Sequence, residues 1–401
     1  MEAGIRRGPS RPAPDLSPNP ALAALIEAEI RRTGPISFAR FMELALYAPD
    51  LGYYTSPEAR IGRGGDFLTA PETHPIFGAA IARQIEGVWR RLGGPGDFTV
   101  REYGAGTGAL AESILAAVGA NHPDLAPAVR YEAVEINPWR REDMVRRLGP
   151  KVAPGRFAAL APDDAVRPPP ATSVPAGFVI ANEFLDAFPV HRVRQTDVGL
   201  REVFVDATSD GFVERLGPPS TPLIAERLAR EGITLEPGQQ AEFAFGLKPW
   251  FAGVGAWLTS GVVLVIDYGA PAAELYAARH RAGTLLGYIG HEAIDDPFAA
   301  VGRQDLTAHV DLTAVEQAAA DAGFSVLGQT TQARFLIDLG LEDLLEQARS
   351  DSALGLGDYV ELRSGLARLI DPRHTGGFAV GVFGRGLPDG PPLRGLQRPG
   401  G

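Results

Sequence analysis

Three glycines at alternate positions, Gly104, Gly106 and Gly108, stand in "VREYGAGTGAL", behind a short strand-like run and ahead of a helical one. A glycine-rich turn of that kind lets backbone N–H groups reach a ligand with no side chain in between. Glu102 precedes the first glycine by two residues, Ala105 lies between the first two, and a second acid, Glu135, ends the next apolar run, "YEAVE". Gly104, Gly106 and Ala109 formally satisfy the G-x-G-x-x-A of dinucleotide sites. Two features weigh against that ligand. The Glu102 carboxylate would repel a pyrophosphate. Glu135 lies 31 residues beyond Gly104, whereas the ribose-binding acid of such sites stands ~20 residues away. A ligand carrying positive charge and a ribose diol suits these residues better. S-adenosylmethionine has a sulfonium and an ammonium group, and the two oxygens of Glu135 can accept from both ribose hydroxyls. A dinucleotide site and a purely structural tight turn are the alternatives.

The glycine turn needs a strand behind it and a helix ahead, and the chain around it alternates in that way. "FTVREYG", "VRYEAVEI", "RFAAL", "GFVIANEF" and "GVVLVIDYG" read as strands, with "ALAESILAAV" and "PWRREDMVRRL" as helices between the first three. "FSVLGQTT" and "GFAVGVFGRG" add two, for about seven strands in a doubly wound α/β sheet. Residues 1–19 read as a flexible tail and 20–95 as an N-terminal helical cap, with Thr73 as N-cap and Pro75 in the first turn of its third helix. Residues 96–386 form the main domain, with insertions at about 190–260 and 270–312, and 387–401 a second Pro/Gly-rich tail. The runs "VHRVRQ", "LREVFVD" and "GFVERLG" suggest an antiparallel meander in the first insertion. Insertions at these places can cover a ligand at the C-terminal ends of the strands.

Composition narrows the function classes. The chain has 401 residues, 45% hydrophobic and 22% charged, as expected of a folded globular protein. A formal charge of −11 excludes a general nucleic-acid binder and is compatible with a basic protein substrate. There is no cysteine, which removes disulfides, thiolate nucleophiles and zinc–thiolate sites. No apolar run approaches the ~18 residues of a membrane span. Seven scattered histidines make no metal-ligand set, and no G-x-S-x-G motif supports hydrolysis.

The sequence resembles the MidA-like family of methyltransferases from about Ile36 to Gly386. The resemblance rests on "ISFARFMELALYAPDLGYY", "GDFLTAPETHPIFG", "EYGAGTGAL", "ANEFLDAFPVHR", "VIDYG", "GRQDLTAHVD" and "TTQARFLIDLGL", in that order. It departs from the family's pattern at "GTLLGYIGHE", at Thr107 and after "AEFAFGLKPW". The resemblance implies a Rossmann-like class I methyltransferase sheet and S-adenosyl-L-methionine as cofactor. It further implies an arginine acceptor in a partner protein, symmetric ω-dimethylation and a link to respiratory complex I assembly. The cytoplasm of a bacterium or the mitochondrial matrix of a eukaryote would be the compartment, and a homodimer is compatible with it. A small-molecule O- or N-methyltransferase and a cofactor-binding assembly factor with little catalysis are the competing readings.

On that basis Asn182, Glu183 and Asp186, after the fourth sheet strand, are the acceptor-handling residues. Carboxylates there would hold a guanidinium through its planar fork of donors. The alternative makes Glu183 and Asp186 caps of a following helix. Glu102, Gly104, Ala105, Gly106, Gly108 and Glu135 are the expected cofactor contacts. Asp66 and Thr69 of "GDFLTAPE" join them if that loop folds over the cofactor; Glu72 is the third polar residue of the loop. Tyr53 and Tyr54 could stack on substrate or belong to the core. His309 and Asp311 could form a general-base pair, although a plain hydrogen-bonding role is expected of them; His191 is a lone histidine.

Overall fold

The computed structural model describes residues 16–57, 74–166, 175–290, 292–350 and 356–397. Asp66, Thr69, Glu72 and Thr73 lie outside the described residues. The strand–helix alternation produces one seven-stranded sheet: β1 (Phe98–Tyr103), β2 (Val129–Val134), β3 (Phe157–Leu160), β4 (Ala176–Asn182), β5 (Ser260–Asp267), β6 (Ser325–Thr331) and β7 (Ala379–Arg385). Their spatial order is β6–β7–β5–β4–β1–β2–β3. From β5 to β3 the strands are parallel. β7 runs antiparallel between β5 and β6. The strand order reverses at β1, which has β2 on one side and β4 on the other. A doubly wound sheet binds ligands in the crevice outside the carboxyl ends of two such strands.

β4 and β5 are buried along almost their whole length, because helices cover both faces of the parallel sheet. One face packs Val100, Tyr131, Phe178, Ile180 and Val262 with the helices Ile76–Arg91 and Ala109–Asn121. The other packs Val179, Ala181, Val263 and Val265 with Leu247–Trp257 and Leu312–Asp321. Each fully buried Phe or Ile contributes about 1.5–3 kcal/mol of hydrophobic stabilisation.

The expected meander is present as Val190–Thr196, Gly199–Thr208 and Gly211–Gly217. It gains Gln240–Ala244 on one side and Ile36–Ser37 on the other, so the N-terminal region supplies a strand as well as helices. Ser37 then caps the next helix, Phe38–Tyr47, accepting from the Arg40 N–H. Phe38, Phe41, Tyr53, Val190, Val205 and Leu306 share one core, which fastens the N-terminal helices to both insertions. The second insertion forms its own small antiparallel sheet from Leu286–Ile289, Glu292–Ile294 and Asp305–Thr307.

Two local expectations change. Pro75 is the N-cap of Ile76–Arg91 rather than part of its first turn, and the His74 ring accepts from the Ile76 N–H. The stretch to Gln397 is docked in place of the expected flexible tail: Leu393 is buried, and the Gly395 N–H donates to Gln84. Among the described residues, no helix is long and apolar enough to cross a membrane.

Candidate active site

The glycine turn leaves β1 with Gly104, Gly106 and Gly108 all at positive φ, 70°, 55° and 78°. Residues with a Cβ rarely adopt such values. Gly104 has a second reason to be glycine: a Cβ there would stand 2.8 Å from the Phe184 ring, in the turn after β4. The two expected site segments therefore touch. The N–H groups of Gly104 and Ala105 donate to the Val134 carbonyl at the end of β2.

Glu135, one residue beyond β2, is buried and grips this turn directly. Its Oε2 accepts from the Gly106 N–H at 2.8 Å and its Oε1 from the Asn137 N–H at 2.9 Å. Arg140 Nη1 stands 3.6 Å from Oε1. Burial raises the carboxyl above its ordinary range, opposed by Arg140 and by the two N–H donors. Each oxygen keeps a lone pair beyond these bonds, so the residue is equipped both to shape the turn and to take a diol. Glu102 differs from its expected condition. It is not a standing charge beside the turn: its carboxyl is buried against the Tyr131 hydroxyl at 2.7 Å, and burial pushes it up to about 8.

β4 ends at Asn182, and no helix follows; a turn leads into the strand Val190–Thr196. The helix-capping alternative for Glu183 and Asp186 is thereby removed. Glu183 sits at φ 48°, one of two non-glycine residues at positive φ among those described. Strain of this kind costs of order 1–3 kcal/mol and persists only where the surroundings enforce it. The enforcing group is Asp267, at the end of β5. Its Oδ2 accepts from the N–H groups of Phe184, Leu185 and Asp186 at 3.1, 2.9 and 3.3 Å. Its Oδ1 accepts from the Tyr268 N–H at 2.9 Å. The turn is thus pinned from the neighbouring strand.

Asn182 donates from Nδ2 to Glu183 Oε1 at 3.2 Å. Its Oδ1 is buried and has no hydrogen-bond partner among the described residues. A buried acceptor left unsatisfied costs about 1–3 kcal/mol, which a bound donor would recover. Asn182 stands next to Gly104 across the β1–β4 pair, where Tyr103 is registered with Ala181. Asp186 is also buried, makes no ion pair among the described residues, and is raised to about 6 by burial, with the Tyr268 hydroxyl opposing.

Segments from elsewhere close this space. The Tyr54 carbonyl accepts from Asn137 Nδ2 at 3.0 Å, and its hydroxyl donates to Asp305 Oδ1 at 2.7 Å. The Tyr47 hydroxyl donates to the Ala187 carbonyl at 2.8 Å, and its ring stacks on Tyr54. The hydroxyls of Tyr47 and Tyr54 are raised first by burial and then by the charges of Asp305 and Asp186. Tyr53 is buried in the core and meets Tyr54 edge-on.

The structure does not unite His309 with Asp311 as a base pair. Asp311 caps the helix Leu312–Asp321 and accepts from Arg227 and the Tyr276 hydroxyl, both at 3.1 Å. His191 is paired with Glu202 in the meander. No group of acids and histidines among the described residues could hold a metal ion. Sequence reasoning assigned no role to Asp267, Asp305, Tyr47 or Tyr268. For Asp267 and Asp305 the only signal was that "VIDYG" and "GRQDLTAHVD" lie within the family resemblance.

The family model described as "Putative S-adenosyl-L-methionine-dependent methyltransferase" matches residues 80–330. The chain is 30% identical to the mitochondrial protein arginine methyltransferase NDUFAF7 homolog of Drosophila melanogaster, over 89% of this chain and 83% of that one. It is equally 30% identical to human mitochondrial protein arginine methyltransferase NDUFAF7, over 87% and 79%. A COG1565 superfamily protein of Burkholderia thailandensis, solved with S-adenosyl-homocysteine bound, superimposes with a TM-score of 0.82. Its sequence is 34% identical, over 97% of this chain and 98% of that one.

Proposed function

The chain belongs to the S-adenosyl-L-methionine-dependent methyltransferase family, and from that premise we propose that its acceptor is an arginine side chain of a partner protein. The observation that carries the proposal is the cluster of tyrosines and buried acids after β4: the Tyr47 hydroxyl donates to the Ala187 carbonyl, next in sequence to Asp186, and the Tyr54 hydroxyl donates to Asp305. Asp186 and Asp305 both act on its tyrosines, and burial rather than a neighbouring cation governs Asp186. Carboxylates with tyrosine rings around them suit a guanidinium, through charge-assisted hydrogen bonds and through contact of the cation with ring faces. The relatives named as arginine methyltransferases support the same acceptor.

The residues fit the cofactor. Gly104, Ala105, Gly106 and Gly108 would hold it closely, Glu135 would take the ribose diol, and Asn182 Oδ1 would receive a donor at the reacting centre. Asp66 and Thr69, outside the described residues, remain candidates for the cofactor. When bound, S-adenosylmethionine supplies a methyl group activated by the positive charge on sulfur. Glu183 and Asp186 would hold the guanidinium so that one terminal nitrogen faces that methyl group. Asp186, ionised at pH 7, can take the proton that the nitrogen gives up on gaining carbon. Positioning supplies most of the rate gain in such a displacement. Symmetric ω-dimethylarginine is the proposed product, and a respiratory-complex protein the proposed partner.

Incubation with methyl-labelled cofactor and host lysate tests this reading. Label should enter protein, and acid hydrolysis should release it as methylated arginine. Label found only in small molecules, or on another side chain, overturns the proposal.

A further inference from the structure

We infer that Arg147, on the helix Pro138–Leu148, is a positioning residue for the cofactor: it holds the last peptide group of the glycine turn ready for S-adenosylmethionine. The inference concerns the cofactor alone and is independent of which acceptor is methylated.

The backbone of the turn is fixed one peptide group after another. The N–H groups of Gly104 and Ala105 donate to Val134, and the Gly106 N–H donates to Glu135. The Gly108 N–H donates back to the Ala105 carbonyl at 2.8 Å. The other end of that last peptide group, the Thr107 carbonyl, accepts from Arg147 Nη2 at 2.5 Å. A peptide group next to glycine rotates at low cost, since glycine tolerates φ of either sign. Here both of its polar ends are engaged, and Arg147 supplies one of the two contacts. Nη1 of the same guanidinium donates at 3.1 Å to Glu112 Oε2, in the first turn of the helix Ala109–Asn121. Its Nε donates to Asp143 Oδ2 at 2.6 Å. The planar fork thus ties the turn to two helices at once.

The helix that carries Arg147 is itself anchored to the turn along its length. Its N-cap is Asn137, whose N–H binds Glu135, and Arg141 Nη1 donates to the carbonyls of Glu135 and Ile136. Met144 packs against the turn: a Cβ on Gly108 would stand 2.7 Å from Met144 Cγ. Arg147 follows one turn later, next to the last residue of the helix. One element therefore fixes Glu135 at its start and Thr107 near its end. The turn is ordered before the cofactor arrives, which spares the binding step the cost of ordering it.

The test uses the full chain, with calorimetry of S-adenosylhomocysteine binding and amide hydrogen exchange of the unliganded protein. Arg147→Met keeps the apolar stem of the side chain and removes the fork. The Arg147 side chain is 37% exposed, so water replaces part of the lost contact, and affinity should fall about threefold to tenfold. Exchange across residues 104–110 should quicken with it, because the peptide group that aims the Gly108 N–H at Ala105 is released. Asp143→Asn is the control: it breaks the ion pair within the helix and leaves the Thr107 contact, so affinity should stay within about twofold. Unchanged affinity in a folded Arg147→Met protein overturns the inference. An equal fall in Asp143→Asn also overturns it, since Arg147 would then act only through its ion pairs. If Arg147→Met does not fold, Arg147→Lys decides: it keeps the charge but not the fork that reaches three acceptors, and should weaken binding at least about twofold. Unchanged affinity in Arg147→Lys overturns the inference equally.

Discussion

Glu135 illustrates how much one buried side chain can carry. Its oxygens accept from Gly106 and Asn137, so the acid positions the glycine turn before any diol arrives. Replacing it by Gln substitutes a donor for one acceptor and sets that donor against a backbone N–H. Glu135→Gln should lower cofactor affinity roughly tenfold to a hundredfold and also cost the unliganded protein about 1–3 kcal/mol. Calorimetry and thermal melting on one preparation check both; full stability with weakened binding would limit the residue to the diol. Glu102 makes a different prediction. Its folded-state value of about 8 lies above the ordinary 4.5, so the folded protein keeps a proton that the unfolded chain loses. The stability tied to that proton is fully present below pH 4.5 and is lost as pH rises through about 8. A cationic ligand against Glu102 reverses the balance and expels the proton. Cofactor binding at pH 7 should release close to one proton, seen as a binding heat that depends on the buffer's ionisation enthalpy. Glu102→Gln should abolish that dependence, and equal heats in all buffers for wild type would refute the counter-ion role.

Among the elements, the turn between β4 and Val190–Thr196 carries the proposed acceptor residues, and a neighbouring strand holds it. Asp267 belongs to β5, yet three of its hydrogen bonds go to Phe184, Leu185 and Asp186. Asp267→Asn places a donor where an acceptor served backbone N–H groups, releasing Glu183 from its left-handed conformation. Methyl transfer should fall by about 10²-fold, as misplacement by an ångström at a reacting centre does. S-adenosylhomocysteine affinity should stay within a few-fold, because Glu135 and the glycine turn are untouched. A fall in cofactor affinity equal to the fall in rate would show general damage instead. This element also shows where sequence reading stops. The strands, the glycine turn and the acid after β2 announce themselves through local pattern: an apolar run, positive-φ glycines, a polar residue ending a strand. The Asp267 contacts join positions more than 80 residues apart, and Tyr54 meets Asp305 across 251. No local spacing encodes such pairings. Ile36–Ser37 was hidden likewise, since two residues carry no period and gain strand character only from the meander beside them.

At the scale of the whole molecule, the site is assembled from four regions that fold around one sheet. The glycine turn and Glu135 come from the first half of the sheet, Asn182 to Asp186 from its centre, Tyr47 and Tyr54 from the N-terminal region, and Asp305 from the second insertion. The formal charge of −11 and the buried acids of this site have the same sign. A cationic peptide, the proposed substrate, would therefore be drawn in by the long-range field and then held by the local carboxylates. Salt separates the two contributions, since the screening length falls from ~30 Å at 0.01 M to ~10 Å at 0.1 M and ~3 Å at 1 M. Raising ionic strength from about 0.02 to 0.5 M should reduce kcat/KM for an arginine-rich protein substrate several-fold, chiefly through KM. Over the same range S-adenosylhomocysteine, a zwitterion without net charge, should bind with nearly constant affinity, which controls for effects of salt on the fold. A neutral small-molecule acceptor predicts a flat salt profile for both quantities. Measuring the two curves on wild type therefore sets a charged protein substrate against a neutral small one without any mutation, and a flat kcat/KM curve would argue against electrostatic capture of a basic partner.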